Sequence, residues 1–535
     1  MAQITLEQFN GLAPKVQPRN LDVTLAQVAV DVRFDRANLS PMKGTTPIGE
    51  SVPAGSTHLY LYEDTTWLAW DRRVNVVRSP ISGDSRQRIF ISDESTYPSV
   101  YSQGQEFRLG IPSPDATPSA AGDGGSGDPA LDESISYTFT FVDAWGLEGA
   151  PGSAIAPFTR TIDSDVTLTN LPQAPTGTYN FGVGAVLRIY RSNQGTSDAD
   201  FQFVADVPLG TTTYVDSIPN GNLGEVIPSI DWIEPPNDDL TLYPDGPLRG
   251  LVALSDGVLA GYSGNTLAFS EPFVPHAWPL SYRQSIPEQI RGIAPLTQGA
   301  LVVTDGRPYM LFGSDPQSYS LSVLDIDQAC ASEESLVSLG EVAIYASPDG
   351  LVVSNGTAIN LVTEPLFAKD DWQAYMPETV RGYQREGRYV GVYTVAGQER
   401  TFVFDPRGSR DAFVESTVVV DGGWYSIEDD ELYVLVGSDI HTFETGADLS
   451  LQWKSKKFVL PHAHSMSAAR VIMDGDITMN IYDKGQLEFT KQLVPGRRVQ
   501  RIPDFYGEEL EIEFIGTGHV EYAMLSESME LASEY

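Results

Sequence analysis

The feature that most constrains this chain is a short apolar strand closing on an acidic residue and a proline, and it recurs. It reads TLAFSEP at 266–272, YMLFGSDP at 309–316, INLVTEP at 359–365 and RTFVFDP at 400–406. The prolines at 272, 316, 365 and 406 are spaced by 44, 49 and 41 residues, which matches the roughly 40 to 50 residues of one propeller blade. The units also repeat inside. Arg249-Gly250-Leu251, Arg291-Gly292-Ile293 and Arg381-Gly382-Tyr383 open three of them, and each opener leads to a turn pair, Asp256-Gly257, Gln298-Gly299 or Glu386-Gly387. A buried-looking strand follows (VLAGY, ALVVTD or RYVGVYTV), then a second turn and the closing strand.

A further unit begins near Leu336, with Asp349-Gly350 and Asn355-Gly356 as hairpin turns, and another spans about 412–445 without the acid–proline ending. A four-stranded meander cannot bury both of its faces alone, so such units stack radially, each covering the next. Near the N-terminus, RIFISDESTYPSVYS (88–102) echoes TLAFSEPFVPHAWPLSY, with Phe90, Ser92 and Asp93 aligned on Phe269, Ser270 and Glu271. The expected fold is therefore all-β, a β-propeller of about six blades, five after residue 249 and one before residue 110, with five in total as the alternative.

Rhythm and composition divide the rest. Residues 1–110 are an N-terminal segment contributing a blade. Residues 111–130, which include PSPDATPSAAGDGGSGDPA, lack apolar anchors and read as a flexible linker or loop. Residues 131–225, with ISYTFTFVDAWGLEGAPG, VLRIYRSNQG and FQFVADVP, read as an inserted immunoglobulin- or fibronectin-like sandwich. Residues 226–447 hold the remaining blades. Residues 448–535 form strands between Gly-centred turns and read as a C-terminal β-sandwich, a docking or platform region. Lys454, Lys456, Lys457, Arg497, Arg498 and Arg501 make it the most basic part of the chain, a pattern that solvated strand faces also produce.

With 72 acidic against 34 basic residues, the formal charge of −38 disfavours a generic grip on nucleic acid, which relies on cations neutralising phosphates. If DNA meets this surface, it meets a smooth wall rather than a clamp, although acidity also serves solubility alone. One cysteine, Cys330, excludes an intrachain disulfide and a Cys-rich zinc site. The first twenty residues lack a basic region followed by an apolar one, so a soluble protein made in the cytoplasm is the expectation.

Catalytic patterns are thin. In FSEPFVPHAWP (269–279), Glu271 has the chemistry of an acid and His276 that of a base, but the same letters describe a strand ending in a proline-stiffened turn with His276 and Trp278 packed inside. No GxSxG elbow or phosphate-binding glycine loop occurs, and Cys330 sits in no catalytic frame. His462 and His464 share one strand face but lack further metal ligands. The acids of the SEP, SDP, TEP and FDP endings occupy equivalent places in successive units, as turn-capping carboxylates do. The sialidase-type Asp box is absent, and SPDGLVVSNG resembles it only superficially. We therefore assign no catalytic, cofactor-binding or metal residues, and no cofactor.

Taken in order, FSEPFVPHAWP, LVVTDGRPYMLFGSDP, QACASEESLVSLG, VAIYASPDGLVV, DDWQAYMPE and EGRYVGVY resemble the tail nozzle proteins of short-tailed bacteriophages, also called DNA-stabilisation or tail-tubular proteins. YTFTFVDAWGLEGAPGS, LRIYRSNQG and the run from WKSKKF to MLSESMEL are similar in order as well, so the resemblance covers most of the chain after residue 55. It implies a virion protein without enzymatic activity, assembled with itself into a ring, usually a hexamer. The ring extends the tail below the adaptor on the portal, and its other partners are tail fibre, spike or needle proteins. Genomic DNA passes through the lumen without sequence-specific binding. The alternative readings are a propeller glycosidase or lyase, or a receptor-binding adhesin, acting on host surface polysaccharide.

Overall fold

The computed structural model describes residues 3–192, 200–407, 412–496 and 499–533. The chain is all-β apart from two five-residue α-helices, Lys369–Gln373 and Met529–Ser533, and a few 3-10 turns. It divides into two compact units. One comprises residues 1–73, 294–310 and 323–535, and the other residues 74–293 and 311–322.

The unit built on residues 74–293 begins with an antiparallel meander of Val74–Arg78, Ile89–Asp93, Ser99–Ser102 and Gln105–Arg108. A second meander follows, Arg249–Ala253, Leu259–Ser263, Thr266–Phe269 and Gln284–Ser285. The two share one core, in which Phe90, Val100, Leu251, Leu259, Ala268 and Trp278 are buried together. The Arg-Gly opener has a steric reason here. A Cβ on Gly250 would lie 2.3 Å from the ring of Tyr262, and its φ of +59° is one that side chains rarely adopt. Tyr262 in turn donates its hydroxyl to the Arg291 carbonyl at 2.9 Å.

Between these meanders in sequence lie two three-stranded sheets. Ser119–Ala121, Val166–Thr169 and Thr213–Asp216 form one, and Tyr137–Val142, Val186–Ser192 and Phe201–Pro208 form the other; Asp132–Ile135 pairs with Phe158–Thr161. Tyr137, Phe139, Leu168, Leu187 and Ile189 fill their common core. Arg160 and Arg191 are fully buried there, bonded to Glu133 and Asp216 at 2.7 and 2.5 Å, and the Asn220 side-chain oxygen accepts from both guanidiniums. Asn193, Gln194 and Gly195 of the RSNQG motif lie outside the described residues.

The linker expected at 111–130 needs correction. It carries the strand Ser119–Ala121. The Asp132 carboxylate accepts the N–H groups of Ser126 and Gly127, and Asp123 accepts those of Gly125 and Thr161. Side-chain carboxylates supply the anchoring that apolar residues do not, so composition alone misreads this stretch.

Ile290–Leu296, Gly299–Thr304, Tyr309–Phe312 and Ser320–Val323 form a further four-stranded meander. The larger unit holds the next ones. Val337–Ser338, Ala343–Ser347, Gly350–Ser354 and Ile359–Leu361 form one, and Arg381–Arg385, Arg388–Val395, Gln398–Asp405 and Ala412–Ser416 form another. Gly422–Ser426, Glu431–Val436 and Asp439–Thr442 form a meander within a six-stranded sheet, flanked by Thr46–Ser51 on one side and by His58–Tyr62 and Thr66–Trp70 on the other, all from the N-terminal segment. Phe367, Trp372, Tyr375, Phe402 and Phe413 stack into one aromatic cluster under the 381–416 sheet, with Phe402 and Phe413 parallel at 4.8 Å.

The separate C-terminal sandwich is the second correction. Leu451–Lys454, Phe458–Asp474, Ile477–Asp483, Gln486–Gln492, Val499–Gly516 and His519–Ser526 belong to a twelve-stranded sheet that also contains the 381–416 meander. Val28–Val30 joins the two parts, antiparallel to Leu451–Lys454 and in parallel register with Glu415. Gln3–Leu6 covers the far edge on His519–Ser526. Residues 1–110 accordingly supply strands to several sheets rather than one blade.

Phe413 is fully buried and touches four other rings of its cluster. Phe413→Ala should destabilise the larger unit by about 3 to 5 kcal/mol, read as a lower denaturant midpoint in its unfolding transition with unchanged slope.

Candidate functional site

The turn after Phe269 is the natural place to look for chemistry, and its geometry is that of a clamp. The Glu271 N–H donates to the Ala277 carbonyl at 2.9 Å, Ala277 N–H to Val274 at 3.1 Å, and Phe273 N–H to Gly257 at 2.9 Å. Trp278 is fully buried and donates its indole N–H to the Pro275 carbonyl at 2.8 Å, while its backbone N–H reaches Ile233. The Glu271 carboxylate bonds the Tyr282 hydroxyl. His276 instead directs Nε2 to the Glu148 carbonyl at 2.9 Å and sets its ring edge-on to Trp232. Glu271 and His276 are thus committed to different partners, and the acid–base pair that the sequence allows is not assembled.

Burial drives the His276 ring down to about 4, with the Arg88 charge adding to it against the pull of the Glu148 bond. His58, in the other unit, is also lowered to about 4, by burial first and then by Arg381 and Arg73. Both rings are neutral at pH 7.

Three of the acids that end these strands serve turns. Asp93 accepts the N–H groups of Ser95 and Thr96 at 2.9 and 2.7 Å, Asp315 that of Gln317 at 2.9 Å, and Asp405 that of Arg407 at 3.0 Å. Cys330 is buried against Tyr345 and donates its thiol to the Ser332 carbonyl. His464 bonds Glu527 at 2.5 Å, and no group of three or more His, Cys, Asp or Glu side chains suited to a metal occurs among the described residues. The basic C-terminal stretch is no open patch. Lys454 pairs with Glu511 and Lys457 with Glu509, each at 3.0 Å, and Lys454 also lies over the Tyr482 ring. The Lys456 ammonium sits 6.0 Å from the centre of the Phe458 ring and Arg501 is exposed, while Arg497 and Arg498 lie outside the described residues.

One charged cluster escapes the sequence reading. Arg33 bonds Glu386 at 3.0 Å and Glu444 at 3.3 Å, and Arg388 bonds the same two carboxylates. Burial pushes Glu386 up, but Arg33, Arg388 and Arg385 together hold it below the usual carboxylate range. No local spacing announces this cluster, because Arg33 arrives on the N-terminal segment.

Among the described residues no helix is long and apolar enough to cross a membrane. No protein-family profile matches the chain, and no curated protein does. Solved structures give weak likenesses. An exo-β-1,3-galactanase from Phanerochaete chrysosporium bound to β-1,3-galactotriose matches at 9% identity and a TM-score of 0.21, over 52% of this chain and 95% of that one. The extracellular domain of a hybrid two-component system from B. thetaiotaomicron matches at 10% and 0.22, over 75% and 52%. The tricorn protease matches at 12% and 0.14, over 77% and 42%. Superpositions this loose transfer no activity.

A native histidine held near 4 against 6.5 when unfolded means that the unfolded chain takes up more protons between those values, so stability falls as pH drops through that window. At pH 5 each such ring costs on the order of 2 kcal/mol. Glu234, lifted to about 6 chiefly by burial, opposes this between pH 6 and 4.5. His276→Gln keeps a donor for Glu148 and cannot titrate. Its unfolding free energy should therefore fall less steeply from pH 7 to 5 than that of the unaltered chain, as measured by urea titrations.

Proposed function

We infer that this chain is a subunit of the nozzle of a short bacteriophage tail. Its four-stranded meanders close radially into a six-bladed propeller, with Thr46–Ser51 completing the last blade. Copies assemble, six to a ring, below the tail adaptor, beside fibre, spike or needle proteins. The ring holds the genome until infection and then conducts it outward. The shared cores of successive meanders support the propeller. Phe90 packs with Leu259 in one pair, and Leu301 and Val303 pack with Tyr345 and Val352 in another.

The observation that carries the conduit reading is the charge together with where the cations go. Of a chain bearing −38, guanidiniums such as Arg33, Arg160, Arg191, Arg385 and Arg388 and ammoniums such as Lys454 and Lys457 are spent on the chain's own carboxylates. The chain keeps a net excess of acids that repels phosphates, and counterions screen the acidic wall over about 8 Å at physiological salt. DNA can slide past such a surface without sticking.

Electron microscopy of the purified protein and of its parent particle tests the reading. Rings with a central channel, and the same ring at the tail tip, are expected, together with no shift of duplex DNA in a gel at physiological salt. Monomers that cleave a capsule or lipopolysaccharide preparation would replace this reading with the glycosidase one.

A further inference from the structure

Phe273 is a bulky residue in a conformation that bulky residues avoid. Its φ is +58°, in the left-handed region where a Cβ crowds the backbone, yet the residue is 54% exposed rather than set in the core. Burial therefore does not account for the strain. The turn is fixed by its surroundings: Pro272 and Pro275 flank it, and the Phe273 N–H is bonded to the Gly257 carbonyl at 2.9 Å. A Cβ on Gly257 would lie 2.5 Å from the ring, so Phe273 rests against the Asp256–Gly257 turn while the rest of it faces solvent. A strained turn that holds an aromatic ring outward has the form of a preorganised contact, because a side chain fixed beforehand loses little freedom on binding.

The neighbouring turns say what kind of partner fits. Asp256 and Asp315 are both exposed, and neither makes an ion pair among the described residues. Both lie close enough to the Tyr319 hydroxyl to add to the burial that pushes it up to about 12. Tyr319 is 8% exposed, its ring centre lies 4.8 Å from that of Phe269, and its hydroxyl has no hydrogen-bond partner among the described residues. An aromatic face, two carboxylates without a base and an unmatched hydroxyl oxygen thus stand on turns of one unit. Each of these groups attracts a cation.

A planar guanidinium suits such a place better than an ammonium, since it stacks on a ring while its edge donates to carboxylates. A second copy of this chain would bring a further −38 toward these acids, so charge favours a different, basic partner. We propose that the Phe273 turn docks an arginine-bearing segment of a partner protein, with one guanidinium stacked on Phe273 and its charge met by Asp256 and Asp315. The proposal is independent of the conduit reading.

Fluorescence anisotropy with the full-length chain at about 150 mM salt tests it. The probe is a labelled peptide of alternating glycine and arginine, and the control is its citrulline counterpart, which is uncharged and of the same shape. Saturable binding of the arginine peptide is expected, weakened at least roughly fivefold, about 1 kcal/mol, in Phe273→Gly and in Asp256→Asn, with no binding of the citrulline peptide. Glycine adopts a positive φ freely, so Phe273→Gly keeps the turn, and the melting temperature of each variant checks folding. Phe273→Gly changes no charge. Binding that is equal in this folded variant and in the unaltered chain is therefore diffuse attraction to an acidic surface, and it overturns the proposal. Equal binding of the citrulline peptide, or no saturable binding at all, overturns it too. A change of oligomeric state in Phe273→Gly assigns the turn to a second copy of the chain and overturns it likewise.

Discussion

Strands of two to eight residues, which make up the meanders, leave unpaired backbone groups at every edge and cannot cover their own two faces. The whole chain is organised around relieving those two deficits. Faces are covered by the neighbouring meander, as Trp278 and Leu251 are against Phe90 and Val100. Edges are closed by strands borrowed from far along the sequence. Where the borrowed backbone comes close, glycine is required. A Cβ on Gly422 would lie 2.0 Å from the Thr57 carbonyl oxygen, and one on Gly11 would lie 2.4 Å from that of Phe413.

This division explains what could be read in the sequence. The meanders announce themselves because a hairpin is local. Asp349-Gly350 and Glu386-Gly387 sit at turns between strands that follow each other, and the acid closing a strand finds its N–H partners two or three residues on, as at Asp93 and Asp405. What depends on distant pairing is silent. Nothing around Val28–Val30 says that it bridges Leu451–Lys454 to Ala412–Ser416, so the twelve-stranded sheet reads as a separate sandwich. At the strand-end turn the sequence supplies both readings of Glu271 and His276, and only their separate hydrogen bonds to Tyr282 and Glu148 choose between them.

Charge follows a similar logic. Arg160 and Arg191 of the inserted sheets are fully buried, and each has a carboxylate and the shared Asn220 oxygen to satisfy it. Removing one partner from such a network leaves a desolvated ion behind, which costs far more than the pair itself contributes. These two arginines are therefore fixed in place by structure, while the surplus of acids sets the surface potential.

The N-terminal segment carries a temporal consequence. Gln3–Leu6 pairs with His519–Ser526, Val28–Val30 with Leu451–Lys454, and Thr46–Ser51 with Asp439–Thr442. Each of these strands must stay unpaired until a partner several hundred residues further along the chain has been synthesised. Meanders can condense as they emerge, but the sheet that locks them cannot, so completion is slow and late, and nascent edges stand open meanwhile to chaperones or to the wrong neighbour.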